Sequence, residues 1–160
     1  SWHFIGHLQT NKVKYLAPFV SMIESVDSLK LLKEIDKQAR RNGRTIDCLL
    51  QFHIASEETK FGLDLGEARL LLRSEAYRSM ENIRICGVMG MATFTDDIPT
   101  LRKEFGQLRQ YFRILKEGFF SHDTAFREIS MGMSGDYGIA IEEGSTMVRV
   151  GTAIFGERKL

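Results

Sequence analysis

Cysteine, proline and tryptophan are scarce in this sequence: two, two and one residues among 160. Two cysteines, Cys48 and Cys86, each set inside an apolar run, do not make a disulfide framework and suit a reducing compartment such as the cytoplasm. Small apolar core residues are the ordinary reading of both. Long hydrophobic runs are missing as well, so nothing reads as a membrane span or a secretory leader. An excess of one charge is also lacking. Lys plus Arg is 22 and Asp plus Glu is 21, so charge alone gives no reason to expect a nucleic acid or other polyanion as partner. No P-loop, G-x-G-x-x-G or G-x-S-x-G occurs, which removes the usual nucleotide, dinucleotide and hydrolase readings. The four histidines, His3, His7, His53 and His122, lack metal-ligand spacing, and no metal is expected.

What is present is an alternation of strand and helix patterns, without a linker or low-complexity segment, read as one domain over residues 1–160. Strands are predicted over 2–8, 21–26, 46–55, 83–94, 126–133 and 147–155. Residues 46–55 are almost continuously apolar, as in a parallel strand buried on both faces. Helices are predicted over 11–19, from Asp27 or Ser28 to Gly43, over 65–80 behind an Asp64/Glu67 capping box, over 95–119 and over 136–143. The helix over 95–119 carries Ile98, Leu101, Phe105, Leu108, Phe112, Leu115 and Phe119 at steps of three and four, a core stripe. Arg109, Arg113 and Lys116 fall on what reads as its solvated face. Repeated β-α units imply a parallel sheet, either doubly wound or of (β/α)8 TIM-barrel type. The short repeat favours the barrel, of which this chain would supply about six of eight units. A chain that opens on Ser1 and a core strand, without an initiator Met, is expected to be truncated, with open sheet edges that self-associate.

In such a sheet the functional face lies at the C-terminal strand ends. Residues there include His7, Gln9, Asn11 and Lys12; His53, Ser56, Glu57, Glu58 and Lys60; and Met89, Met91 and Thr93. Glu57 with Glu58 has the form of an acid/base pair, although a charged loop is the commoner reason for such a pair. The strongest signal is the turn with Gly132, Met133, Ser134 and Gly135, followed later by Arg149, Gly151 and Thr152. Free backbone N–H groups and hydroxyls at a strand-to-helix turn suit a phosphate, and barrels often hold one after their last two strands. An unliganded capped turn is the alternative.

Four stretches together resemble the pyridoxal phosphate homeostasis proteins, the family long described as alanine racemase-like, N-terminal domain. They are Trp2-His3-Phe4-Ile5-Gly6-His7-Leu8-Gln9-Thr10-Asn11-Lys12; Gln51-Phe52-His53-Ile54-Ala55 with Lys60-Phe61-Gly62; Gly87-Val88-Met89-Gly90-Met91-Ala92-Thr93; and Ser130-Met131-Gly132-Met133-Ser134-Gly135-Asp136 with the run from Gly144 to Gly156. The resemblance implies a (β/α)8 barrel that binds pyridoxal 5′-phosphate (PLP), is monomeric and cytosolic, and buffers or delivers the cofactor without robust catalysis. It implies a phosphate held by the Ser134 region with Gly151 and Thr152, and a pyridine nitrogen facing Arg149. Gly132, Met133, Asn11, His53 and Met89 complete the implied cofactor site. The family's Schiff-base lysine lies in a segment reading roughly Ala-Val-Ser-Lys-Thr, which this chain lacks, so no catalytic residue is assigned. Lys12 and Lys60 are the nearest lysines expected at the same face. Two other readings stand beside this one: a fold-type III PLP enzyme such as an amino-acid racemase, and a module that binds only phosphate, sulfate or another protein.

Overall fold

A computed structural model describes residues 1–56 and 61–156. Six strands form one parallel sheet in sequence order: β1 His3–Phe4, β2 Met22–Val26, β3 Ile46–His53, β4 Ile83–Met91, β5 Glu128–Met133 and β6 Met147–Arg149. β3 and β4 pair along their full lengths, from Ile46 beside Ile83 to His53 beside Met91. The helices are α1 Val13–Leu16 after a 3-10 turn at Thr10–Lys12, α2 Leu29–Arg41, α3 Leu65–Arg73, α4 Glu75–Arg78, α5 Ile98–Phe119, α6 Tyr137–Glu142 and α7 Thr152–Phe155.

Local chemistry sets the boundaries. Ser28 Oγ accepts the Leu31 N–H at the start of α2, and Gly43, with φ of +61°, leaves its end in the left-handed region. The expected capping box is formed: Asp64 accepts from the Glu67 N–H at 2.7 Å and Glu67 accepts from the Asp64 N–H at 2.9 Å. The single helix expected over 65–80 is two. Ser74 is extended, its Oγ donating to the Leu71 carbonyl at 2.7 Å and accepting the Tyr77 N–H at 3.2 Å, so one residue ends α3 and caps α4. Lys116, expected on a solvated face, instead donates to the Phe126 carbonyl at 3.0 Å and to the Asp123 carbonyl, tying α5 to the approach of β5.

The two faces of the sheet differ. Ile23, Cys48, Leu50, Phe52, Ile85, Val88 and Ile129 face the helices and join Leu31, Leu32, Ile35, Leu101, Phe105 and Leu108 in the main core. The opposite face carries Met22, Leu49, Cys86 and Met89 with the buried polar residues Glu24, Gln51, Ser130 and Arg149. That face is concave. In a flat sheet β2 and β5 lie three intervals apart, about 14 Å. Yet Ser130 Oγ of β5 lies 2.6 Å from Glu24 Oε2 of β2. The sheet is therefore a curled half-barrel with its helices outside. Gly87 permits a bulge on this surface: at φ of +156° a Cβ would sit 1.9 Å from the Glu128 carbonyl oxygen.

Candidate functional site

The C-terminal ends of β5 and β6 meet where Met133 is paired with Arg149. Immediately beyond, the strand expected over 147–155 stops at Arg149 and the chain turns into α7. The cause is Ser134. Its Oγ accepts the N–H groups of Gly151 and Ala153, both at 3.2 Å, which pulls residues 151–153 off the ladder and into a helical turn. A serine hydroxyl that accepts two N–H bonds keeps its own hydrogen to donate outward. Ser134, Gly151 and Thr152 are thus brought together as the sequence suggested, with Ala153 as a partner that sequence reasoning missed. The N–H groups used lie at the start of α7, on Ala153 and on Gly151 just before it. The start of α6 is occupied differently: Asp136 Oδ1 accepts the Met133 N–H at 2.6 Å, which sets a carboxylate at that helix end. Gly132 lets β5 approach α6, since at φ of +97° a Cβ there would meet Ala140 Cβ at 2.6 Å.

Arg149 is 8% exposed on the concave face. Its Nη1 donates to Ser130 Oγ at 2.7 Å and its Nη2 to the Gly90 carbonyl at 2.9 Å. Burial lowers its pKa from the usual guanidinium value, against the nearby Glu24 and Asp136 charges, which raise it. Ser130 passes its own hydrogen to Glu24, and the other Glu24 oxygen meets His3 Nδ1 at 3.0 Å. Glu24 was not identified from sequence, although a charged residue inside Met22-Ile23-Glu24-Ser25-Val26 is a signal that could have found it.

The remaining candidates are more dispersed. Met89 is buried on the concave face, paired with Ser130 across β4 and β5. His53 ends β3, half-buried beside Met91. Asn11 is exposed in the 3-10 turn after β1. Lys12 lines a separate cavity of about 370 Å³ with Phe4, His7, Gln9 and Tyr15, which no residue of the Ser134–Arg149 cluster touches. Glu57, Glu58 and Lys60 lie outside the described residues. Among the described residues, no cluster of three or more His, Cys, Asp or Glu is placed to hold a metal, and no helix is long and apolar enough to cross a membrane.

Beyond the geometry, the chain resembles known proteins over nearly its whole length. The family described as "Alanine racemase, N-terminal domain" matches residues 2–159. The pyridoxal phosphate homeostasis protein of Aquifex aeolicus is 40% identical over 158 residues, covering 99% of this chain and 67% of the relative. PipY of Synechococcus elongatus, in its structure with PLP bound, superposes with a TM-score of 0.84 at 30% identity, covering 98% of this chain and 70% of that one. Alanine racemase of Clostridium difficile shares the fold, with a TM-score of 0.72 at 15% identity over 98% of this chain and 41% of its own. The chain spans about two thirds of the length of the curated relatives it matches. Sequence and superposition agree that it belongs to the alanine racemase N-terminal domain family, among the pyridoxal phosphate homeostasis proteins.

Proposed function

We propose that the protein binds PLP and holds it in reserve without turning it over, as the C-terminal part of a (β/α)8 barrel of the cytoplasm. The observation that carries this is the pairing of two unlike donors at one strand end. The Ser134 hydroxyl, left free to donate because the Gly151 and Ala153 N–H groups occupy its lone pairs, suits a phosphate, and a buried guanidinium one residue pair away suits a ring nitrogen. Two of the five N–H hydrogens of Arg149 are engaged by Ser130 and Gly90, which leaves its edge available to a ligand. These residues fit the cofactor.

PLP, when bound, supplies an aldehyde and a ring able to withdraw electrons. Ser134 and Thr152 would donate hydroxyl hydrogens to the phosphate, the Ser134 hydroxyl held in place by the Gly151 and Ala153 N–H groups. Arg149 donates to the ring nitrogen. Because a guanidinium has no lone pair to offer and does not give up its proton, that nitrogen stays unprotonated and the ring withdraws electrons poorly. Carriage is favoured over turnover. Gly132 and Met133, next to Ser134 on β5, would contribute to the phosphate side, and Met89, buried on the concave face, with His53 and Asn11 at strand ends, would complete the lining. In isolation the 160-residue chain associates with itself through its exposed sheet edges, whereas the full barrel is a monomer.

The test is titration of the chain with PLP, followed by absorbance, in competition with inorganic phosphate. Saturable binding with phosphate as a competitor is expected, and absence of saturable binding overturns the reading. Borohydride reduction and peptide mapping of the same samples report whether Lys12 or Lys60 serves as a substitute anchor.

A further inference from the structure

Glu24 has no role in the function proposed above, yet it is a carboxylate at 2% exposure in the middle of β2. A buried charge is costly unless something requires it. We propose that Glu24 is a positioning residue for the ring-nitrogen end of the site: through Ser130 it fixes the Arg149 guanidinium. This rests on the ring-nitrogen role of Arg149 proposed above.

The hydrogen-bond directions are determined by the groups present. An ionised carboxylate only accepts. Its Oε2 therefore takes the single hydrogen of Ser130 at 2.6 Å, and that leaves Ser130 Oγ to accept from Arg149 Nη1 at 2.7 Å. Gly90 on β4 takes the Nη2 hydrogen at 2.9 Å. On its far side, Glu24 Oε1 is held by His3 Nδ1 on β1 at 3.0 Å. The guanidinium is thus located by an acceptor on β4, an acceptor on β5 and a counter-charge on β2. Indirect pairing matters here. A carboxylate in direct fork-to-fork contact would consume one edge of the guanidinium. With Ser130 between them, the charge is balanced at the cost of one N–H, which leaves more of the guanidinium's hydrogens uncommitted than a direct fork-to-fork pair would. Asp136 is the other acidic group felt by Arg149, and it is tied to the Met133 N–H on the phosphate side.

The experiment uses pyridoxine 5′-phosphate, which carries the ring and phosphate but no aldehyde, with inorganic phosphate as the second probe. Wild type, Glu24→Met, Ser130→Ala and Arg149→Met are compared for affinity and for the pH at which the bound ring protonates, read from its ultraviolet absorbance. In wild type the bound ring is expected to stay unprotonated to lower pH than the free probe. Glu24→Met and Ser130→Ala should each move that transition back toward the free value and weaken the probe roughly tenfold, with inorganic phosphate affinity unchanged. The double variant should do no more than the stronger single one. A merely structural role would not move the ring transition. If Glu24→Met does not fold, Ser130→Ala decides alone. Wild-type affinity and transition in the Glu24 and Ser130 variants, with both altered in Arg149→Met, would overturn the positioning role and leave the PLP reading intact. No change in Arg149→Met, or no binding by wild type, would remove the ring-nitrogen assignment and this inference with it.

Discussion

Ser134 gathers two N–H groups on one oxygen, and the stability of that turn and the phosphate affinity proposed for it are therefore linked. Replacing Ser134 and Thr152 together with Ala should weaken PLP about tenfold or more while affecting pyridoxal, which lacks the phosphate, much less. Equal losses measured by isothermal titration would count against the phosphate assignment. The two thiols have a different consequence. Burial pushes Cys86 up to about 11 and Cys48 well above the ordinary value of 9.0, and burial pushes Tyr77 from 10.0 up to about 12. All three are acids whose folded pKa exceeds the unfolded one. Their contribution to stability is complete below about pH 9 and is lost as pH rises through 11 and 12, because the unfolded chain releases these protons first. The urea midpoint should hold steady from pH 7 to 8.5 and fall above 9. Native protein at pH 8 should react slowly with a thiol reagent, and a rapid two-thiol reaction would contradict the burial of Cys48 and Cys86. That Ser134, Gly151 and Thr152 would lie together was legible in the sequence because glycine and hydroxyl residues follow two late strands, whereas the role of Arg149 came only from the family resemblance. A charge inside the apolar run of β2 makes Glu24 conspicuous, but its partner was not legible, because that partner lies 106 positions away.

Strands and helices follow residue patterning where burial is one-sided or a cap is explicit, as in α2, α3 and α5. They depart from it where a side chain from elsewhere captures backbone. Residues 152–155 alternate poorly but look apolar enough for a strand, and the contact with Ser134, distant in sequence, accompanies their turn into a helix. Ser74 interrupts the periodic run over 65–80 with a local hydroxyl, which periodicity cannot register. A similar device holds the loop between β4 and α5. Glu104, 6% exposed on α5, accepts the Thr93 N–H at 2.7 Å and the Thr93 hydroxyl at 2.7 Å, and Thr93 Oγ1 in turn accepts the Ser56 N–H at 3.0 Å after β3. One carboxylate thus joins two of the loops at the functional end of the sheet. Glu104→Ala would leave the Thr93 N–H without its acceptor and should cost about 2–3 kcal/mol, measured by urea unfolding. A loss below about 0.5 kcal/mol would mean that water replaces the carboxylate without penalty.

At the scale of the whole molecule, apolar side chains crowd the two ends of the sheet. Trp2, Tyr15 and Phe19 are 72%, 60% and 51% exposed around β1, and Phe155 and Ile154 are 86% and 65% exposed beyond β6. Exposed apolar surface beside a strand edge favours association. Sedimentation velocity of the 160-residue chain should show concentration-dependent association, and a monomer up to high micromolar concentration would exclude it. The strand order is also the chain order, so most sheet contacts join neighbouring β-α units. The bond from Ser130 to Glu24 reaches beyond such neighbours, across three strand intervals and further than the bond from Arg149 to Gly90, and it forms only when the intervening strands have curled. That makes it a reporter of the last stage of folding. Contacts between adjacent units cost little loop entropy and assemble early, whereas the closing contact across the concave face comes after them. Ser130→Ala should therefore leave the refolding limb of a chevron nearly unchanged and raise the unfolding limb, a φ-value near zero. The cluster around Arg149 then opens through partial uncurling, with β3 and β4 still paired, and its amides should exchange with solvent long before those of the central strands.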